Sequence, residues 1–316
     1  MTIRNRRPVS GVLLLDKPIG WTSSAALQAV KRLYQAQKAG HTGSLDPLAS
    51  GLLPICLGEA TKLSGLLLNA DKSYRFTCRL GVTTTTGDAE GEILISRPVG
   101  SLRREIVEAT LRRFTGVIQQ VPPMYSALKH NGQPLYKLAR KGIKVERAPR
   151  EVTIHELHLL RLDGEELECE LRCSKGTYVR TLATDLGEML ECGAHIAALR
   201  RTAVEPYDAS WMITLDTLRE RAKQGVSTLQ GVSTLDECLL PADSAVAKWP
   251  AVRVRGDVAF YFRQGQSILA PHAPTQGWVR LYAGNEQFIG IGEVLDDGRI
   301  APRRLLLQTS VLGLAR

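Results

Sequence analysis

The sequence predicts an α+β protein that ends in a small β-barrel module, and three observations predict it. Ser73–Leu80 and Glu166–Cys173 alternate between polar and apolar residues, the pattern of strands with one buried face. Around them, apolar residues recur every three or four positions, as on amphipathic helices. Beyond Pro241 the pattern changes to short apolar runs separated by turns. The 316 residues are 44% hydrophobic and 23% charged, which suits a soluble globular chain of about two domains.

Taken in order, Gly11 to Lys17 reads as a buried strand that ends in a turn at Ile19-Gly20. Thr22 or Ser23 can cap a helix with Ala26, Leu27, Val30, Leu33 and Tyr34 on its apolar side. The segment Gly40 to Gly51 reads as a loop, and a second helix starts near Glu59. In the strand that follows, Tyr74 faces inward with Phe76, Cys78 and Leu80, and packing alone accounts for it. Residues 81–91 form a polar loop, and Ser101 caps a helix carrying Val107, Leu111 and Phe114. Glu166–Cys173 leads into Ser174-Lys-Gly-Thr-Tyr-Val-Arg180-Thr and another helix. Arg180 falls in the first turn of that helix, where a cation opposes the macrodipole and calls for an anionic partner. Leu199-Arg200-Arg201 belongs to a short strand. Residues 224–235 repeat Gln-Gly-Val-Ser-Thr-Leu twice, a tolerated surface duplication. Phe260–Phe262, Trp278–Tyr282, Phe288–Val294 and Leu305–Leu307 supply the strands of the terminal module.

The formal net charge of +9 points to a polyanionic partner, nucleic acid before membrane. Residues 121–150 concentrate that charge, with seven Lys or Arg against Glu146. Tyr125, His130 and Tyr136 lie among them, and together these suit phosphate contact and base stacking. A solvated basic loop is the alternative. The six cysteines lack paired spacing and read as reduced thiols of a cytoplasmic protein. The apolar run Val12–Leu15 is too short for a signal peptide or a membrane span.

No Walker A string occurs, and Gly290-Ile-Gly292 lies in a strand without a third glycine. His155 and His158 are three apart in a strand, on opposite faces, and no other set has zinc spacing. The sequence therefore implies neither a metal nor a nucleotide cofactor. What remains is Gly40-His-Thr-Gly-Ser-Leu-Asp46-Pro-Leu-Ala-Ser-Gly51. Pro47 biases Asp46 away from the helical region. The carboxylate either closes an Asx turn or is presented for chemistry, and Arg180 is its plausible partner.

Four strings, Gly11-Val-Leu-Leu-Leu-Asp-Lys-Pro18, Gly40–Gly51, Asp71-Lys-Ser-Tyr-Arg75 and Lys175-Gly-Thr-Tyr-Val-Arg-Thr181, match in order and spacing those of the bacterial TruB family, tRNA pseudouridine-55 synthases. The resemblance covers nearly the whole chain. It implies a pseudouridine-synthase fold, a mixed, mostly antiparallel sheet flanked by helices, over residues 1–248. Within that span, 121–150 would be a basic RNA-binding insertion and 223–237 a linker. A PUA-like RNA-binding barrel would occupy 249–316. The implied reaction is cofactor-free isomerisation of uridine 55 in the TΨC loop of tRNA by a monomer that flips its target base, with a chaperone role as a possible accompaniment.

By the same resemblance Asp46 is the catalytic carboxylate, and Arg180 pairs with it and keeps it ionised. Tyr74 stacks on the flipped uracil and is a candidate for the C5 proton transfer. His41 fills the space vacated in the RNA, and Tyr178 and Leu199 line the uracil pocket. Lys17 and Pro18 support the catalytic loop. Lys129, Lys137, Arg140 and Lys141 belong to a mobile thumb that closes over the T-arm. A non-catalytic RNA-binding protein and a carboxylate-dependent nucleoside hydrolase are the competing readings.

Overall fold

The computed structural model describes residues 6–226, 235–284 and 286–307. Its main element is a mixed sheet of nine strands. These are β1 (Gly11–Lys17), β2 (Ala39–His41), β3 (Ser50–Leu57), β4 (Lys72–Leu80), β7 (Gly116–Gln120), β10 (Arg150–Asp163), β11 (Glu166–Cys173), β12 (Ala194–Val204) and β13 (Ile213–Thr214). The order across the sheet is β13-β1-β3-β12-β4-β11-β10-β7, with β2 paired to β3. Only β1–β13 and β3–β12 pair in parallel, so the sheet is mostly antiparallel, as the resemblance implies.

Helices α1 (Ser23–Leu33), α3 (Arg104–Arg113), α5 (Val179–Met189) and α6 (Leu215–Val226) flank the sheet. One core packs Ala26 and Val30 of α1 and Leu182 and Leu186 of α5 against Leu13, Leu53, Phe76 and Leu171 of the strands. Thr22 caps α1, accepting the Ala25 N–H at 3.1 Å. The other predicted cap is corrected: α3 has Arg103 at its N-cap, with no side-chain bond there, and Ser101 lies outside the helix. The expected helix near Glu59 is a 3₁₀ stretch, Gly58–Leu63, that runs into α2 (Ser64–Asn69).

The segment expected to be one loop from Gly40 to Gly51 is shorter, because its ends join β2 and β3. Gly51 marks the tightest point. Its φ is +97°, and a Cβ there would lie 2.2 Å from the Arg201 carbonyl oxygen across the β3–β12 pairing. Gly51→Ala should therefore destabilise the fold by at least about 3 kcal/mol from strain and backbone clash combined. A thermal melt of the purified variant beside wild type checks this; an unchanged midpoint would mean the seam can open.

The terminal residues form a four-stranded sheet in the order β14 (Ala251–Val254), β15 (Gly277–Ala283), β16 (Gln287–Val294), β17 (Ile300–Leu305). Phe260–Phe262, predicted as a strand, belongs to a helix, Gly256–Arg263. Ala259 and Phe262 are three apart and fully buried, whereas Phe260 and Tyr261 stay exposed, a helical rather than a strand pattern. This unit is tied back to the larger sheet. Lys62 Nζ donates to the Leu305 carbonyl at 2.8 Å, and Glu59 Oε2 accepts the Leu307 N–H at 2.7 Å. Of the hexapeptide duplication, residues 224–226 end α6 and most of the remainder lies outside the described residues.

Candidate active site

Asp46 sits in the loop between β2 and β3, and neighbours pin that loop at several points. Leu45 and Ala49 are buried in the core. Ser23 grips Leu45 twice, accepting its N–H at 2.7 Å and donating to its carbonyl at 3.0 Å. Pro47 offers its carbonyl to the Gly20 N–H at 2.8 Å and to Lys17 Nζ at 3.5 Å. Lys17 is fully buried and also donates to the carbonyls of Pro18 (2.9 Å) and Trp21 (2.7 Å). Burial lowers the Lys17 ammonium to about 8, and the negative charge of Asp46 opposes that shift.

The carboxylate's partner is Arg180, whose Nε lies 3.0 Å from Asp46 Oδ2, rather than a neighbouring backbone N–H. Arg180 occupies the first turn of α5 and is itself buried. Its fork is spread over several acceptors: Nη1 donates to Thr86 O at 3.0 Å, Nη2 donates to Tyr125 O at 2.7 Å, and Nη1 lies 3.5 Å from Asp88 Oδ2. The expected effect on Asp46 is reversed. Burial raises its carboxyl above the ordinary aspartate range, Asp88 adds to the rise, and Arg180 and Lys17 only partly counter it. The side chain is 41% exposed, so part of the carboxylate meets water while the rest meets protein.

Of the other residues singled out from the sequence, Tyr74 and Tyr178 lie close enough to feel the charge of Asp46. Tyr74, on β4, is 7% exposed, and burial raises its phenol, with the Arg201 charge opposing the rise. Tyr178 is the N-cap residue of α5. Gln120 clamps its backbone, accepting the N–H at 3.0 Å and donating to the carbonyl at 3.3 Å. Leu199 is buried opposite Phe76 in the β12–β4 register. His41 is half-buried on β2, and burial and the Arg201 charge both lower its imidazole, which favours the neutral ring.

Lys129, Lys137, Arg140 and Lys141 are exposed, in or beside a small hairpin (Lys129–His130 with Gln133–Pro134) and a short helix, Leu135–Ala139. The insertion reaches the centre at its base, where the Tyr125 carbonyl accepts from Arg180.

The sequence reading missed three polar groups. Asp88 is 3% exposed and held by Thr86 Oγ1 and by the Glu90 N–H at 3.1 Å. Gln120 is 2% exposed. Arg201 is 1% exposed and donates to Leu52 O at 2.7 Å and Gly43 O at 3.0 Å. Only the alternation along β12 could have found Arg201, since it sends Arg201 inward while Arg200 reaches Asp16 at 2.8 Å. Among the described residues, no His, Cys, Asp and Glu cluster has the form of a metal site. No helix among them is long and apolar enough to cross a membrane.

Comparison with known proteins agrees with this architecture. Residues 31–179 match the family model "TruB family pseudouridylate synthase (N terminal domain)". Residues 180–247 match "tRNA pseudouridylate synthase B C-terminal domain", and 250–306 match "Pseudouridine synthase II TruB, C-terminal". The tRNA pseudouridine synthase B of Nitrosococcus oceani is 58% identical over 302 residues, 96% of each chain. That of Pseudomonas aeruginosa is 55% identical over 303 residues, 96% of this chain and 98% of the relative. A chain from a Cbf5-Nop10-Gar1 complex shares the fold, with a TM-score of 0.73 at 23% identity over 95% of this chain and 86% of that one. With identity this high along almost its whole length, the chain belongs to the TruB family of tRNA pseudouridine synthases.

Proposed function

We propose that this isomerase converts uridine 55 in the T loop of tRNA to pseudouridine, with Asp46 as the nucleophile. The observation that carries the reading is the Arg180–Asp46 pair, a part-exposed carboxylate on a pinned loop, oriented by a buried guanidinium. Uridine and pseudouridine have the same atoms, so the reaction needs no redox partner and no group donor. It needs a group that attacks, holds the intermediate and leaves again, as the carboxylates of retaining glycosidases do. Attack at sugar C1′ or at uracil C6 would use the same oxygen.

A stacked base is out of reach of Asp46, so the target flips, at a cost of a few kcal/mol. Tyr74 stacks on the flipped uracil and takes the C5 proton, while Tyr178 and Leu199 line its pocket. His41 fills the gap left in the RNA, an imidazole kept neutral and therefore inexpensive to insert. Residues 1–248 carry the chemistry, with 223–237 as a linker, and 249–316 form a PUA-like unit that adds RNA contact. The protein works as a monomer in the cytoplasm on the tRNA T-arm.

The test is release of tritium from a tRNA transcript labelled at uracil C5, with the product mapped by position. We expect release equal to one site, at position 55. No release by folded protein that still binds the transcript would move the reading to a purely RNA-binding role.

The basic insertion adds phosphate contacts. Replacing Lys129, Lys137 and Arg140 together by Ala should flatten the dependence of log Kd on log salt by about 2, since each lost contact releases fewer counterions. A salt series of filter-binding measurements reads this directly. An unchanged slope would remove the insertion from the interface.

A further inference from the structure

Arg201 is the largest side chain of the described residues that is almost wholly removed from water. No carboxylate among those residues pairs with it. Burial presses against its charged form, and an apolar side chain of similar volume would fill the site at less cost. Its placement suggests why a cation is there. Nη2 holds the carbonyl of Gly43, three residues before Asp46, and Nε holds the Leu52 carbonyl on β3. Tyr74 is its direct partner in the β12–β4 register, so the two side chains leave the sheet on the same face, and the guanidinium charge opposes the rise of the Tyr74 phenol. One group thus joins the loop that carries the acid to the ring that faces it.

We propose that Arg201 is a positioning residue for the isomerisation: it fixes the Tyr74 hydroxyl relative to the Asp46 loop and balances the negative charge that the phenol oxygen carries before it takes the uracil C5 proton. This rests on the function proposed above. In the step, the Tyr74 phenolate accepts the proton from C5, the C–H electron pair closes the C5=C6 double bond of pseudouridine, and the C6=N1 pair moves onto N1, which takes a proton from solvent; where attack was at C6, the bond from C6 to the Asp46 oxygen breaks instead. The neutral phenol returns that proton to solvent when the product leaves. The groups facing the phenol are Arg201 on β12, Cys173 on β11 and Asp46 in the loop. Cys173 is pushed up to about 11 by burial and stays a neutral thiol, and Asp46 disfavours a second negative charge. Lys72 and His41 border the guanidinium rather than the phenol. Arg201 is therefore the group that counters burial at the phenol oxygen.

Single-turnover tritium release at saturating tRNA, followed across pH, tests the assignment. Arg201→Met should slow release by about 100-fold at neutral pH while tRNA affinity holds. The rising alkaline limb should move up by about one to two pH units, the effect of losing a nearby opposite charge. Arg201→Lys, which keeps the charge without the fork, should lie between. In a Tyr74→Phe background the limb shift should vanish. A slower reaction with the wild-type profile, or a loss that follows weakened tRNA binding, would overturn the proposal.

If the Met variant does not fold, titration of ring-labelled tyrosine by NMR decides with Arg201→Lys, the Tyr74 signal being assigned by its loss in Tyr74→Phe. A higher midpoint than in wild type supports the role, and an identical midpoint rejects it. That titration reads the Arg201–Tyr74 coupling without catalysis, so it stands apart from the test for uridine isomerisation.

Discussion

Asp46→Asn should abolish tritium release, by at least about 10⁴-fold, while tRNA binding and thermal stability stay near wild type. The amide is nearly isosteric and still accepts a hydrogen bond from Arg180 Nε, so the pairing geometry at 3.0 Å can persist. The loop does not depend on the carboxylate for its shape. Leu45 and Ala49 anchor it in the core, Ser23 grips it on one side, and Gly20 and Lys17 hold Pro47 on the other. What the variant loses is nucleophilicity, because an amide oxygen does not form and release a covalent bond at this rate. Release at even a hundredth of the wild-type rate would point to another nucleophile.

Arg180→Met should have the second largest effect, and it should damage stability as well as rate. The substitution leaves Asp88, 3% exposed, without its cation, and leaves the carbonyls of Thr86 and Tyr125 short of a donor. Breaking a buried pair in this way costs about 3–5 kcal/mol. The Asp46 carboxyl, already raised by burial, loses its main opposing charge and rises further. The acid limb of the activity profile should then move to higher pH. The sign for stability follows from linkage: a carboxyl raised in the folded state binds its proton more tightly there than in the unfolded chain. The variant's stability should thus fall as pH climbs from the ordinary aspartate range through the raised value. Urea melts at pH 4.5 and pH 7 measure this, and equal losses at both would leave Asp46 uncoupled from Arg180. Arg180→Lys should retain part of the stability, since the charge stays but the fork does not.

These effects divide along the same line as what could be read from the sequence. The α1 cap at Thr22, the inward face of Tyr74 and the first-turn position of Arg180 follow local rules of capping, period two and helix polarity, so they were legible. Strand β3 was not. It is buried on both faces and reads as a continuous apolar run interrupted by Pro54, with no alternation to reveal it. The helix Gly256–Arg263 was hidden by Phe260-Tyr261-Phe262, three residue types that favour strands, until packing against the C-terminal core set their orientation. Asp88 looks like any acid in a Thr-rich loop, and its burial comes only from assembly of the cleft. The same cause reversed the expectation for Asp46. Sequence shows which charges are available, but not how much water the fold removes from around them.

The place of β12 in the sheet also governs how the molecule is made. It enters between β3 and β4, strands that precede it by more than a hundred residues, and it alone joins β13-β1-β3 to β4-β11-β10-β7. Until residues 194–204 have left the ribosome, a nascent chain holds two separate sets of strands, β1 with β3 and β4-β11-β10-β7, each with an unpaired edge where β12 belongs, while β13 follows later in the chain. Asp46 then belongs to one set and Tyr74 to the other. The arrival of one strand both covers those edges and brings the reacting groups together, so an incompletely synthesised chain cannot carry a working cleft.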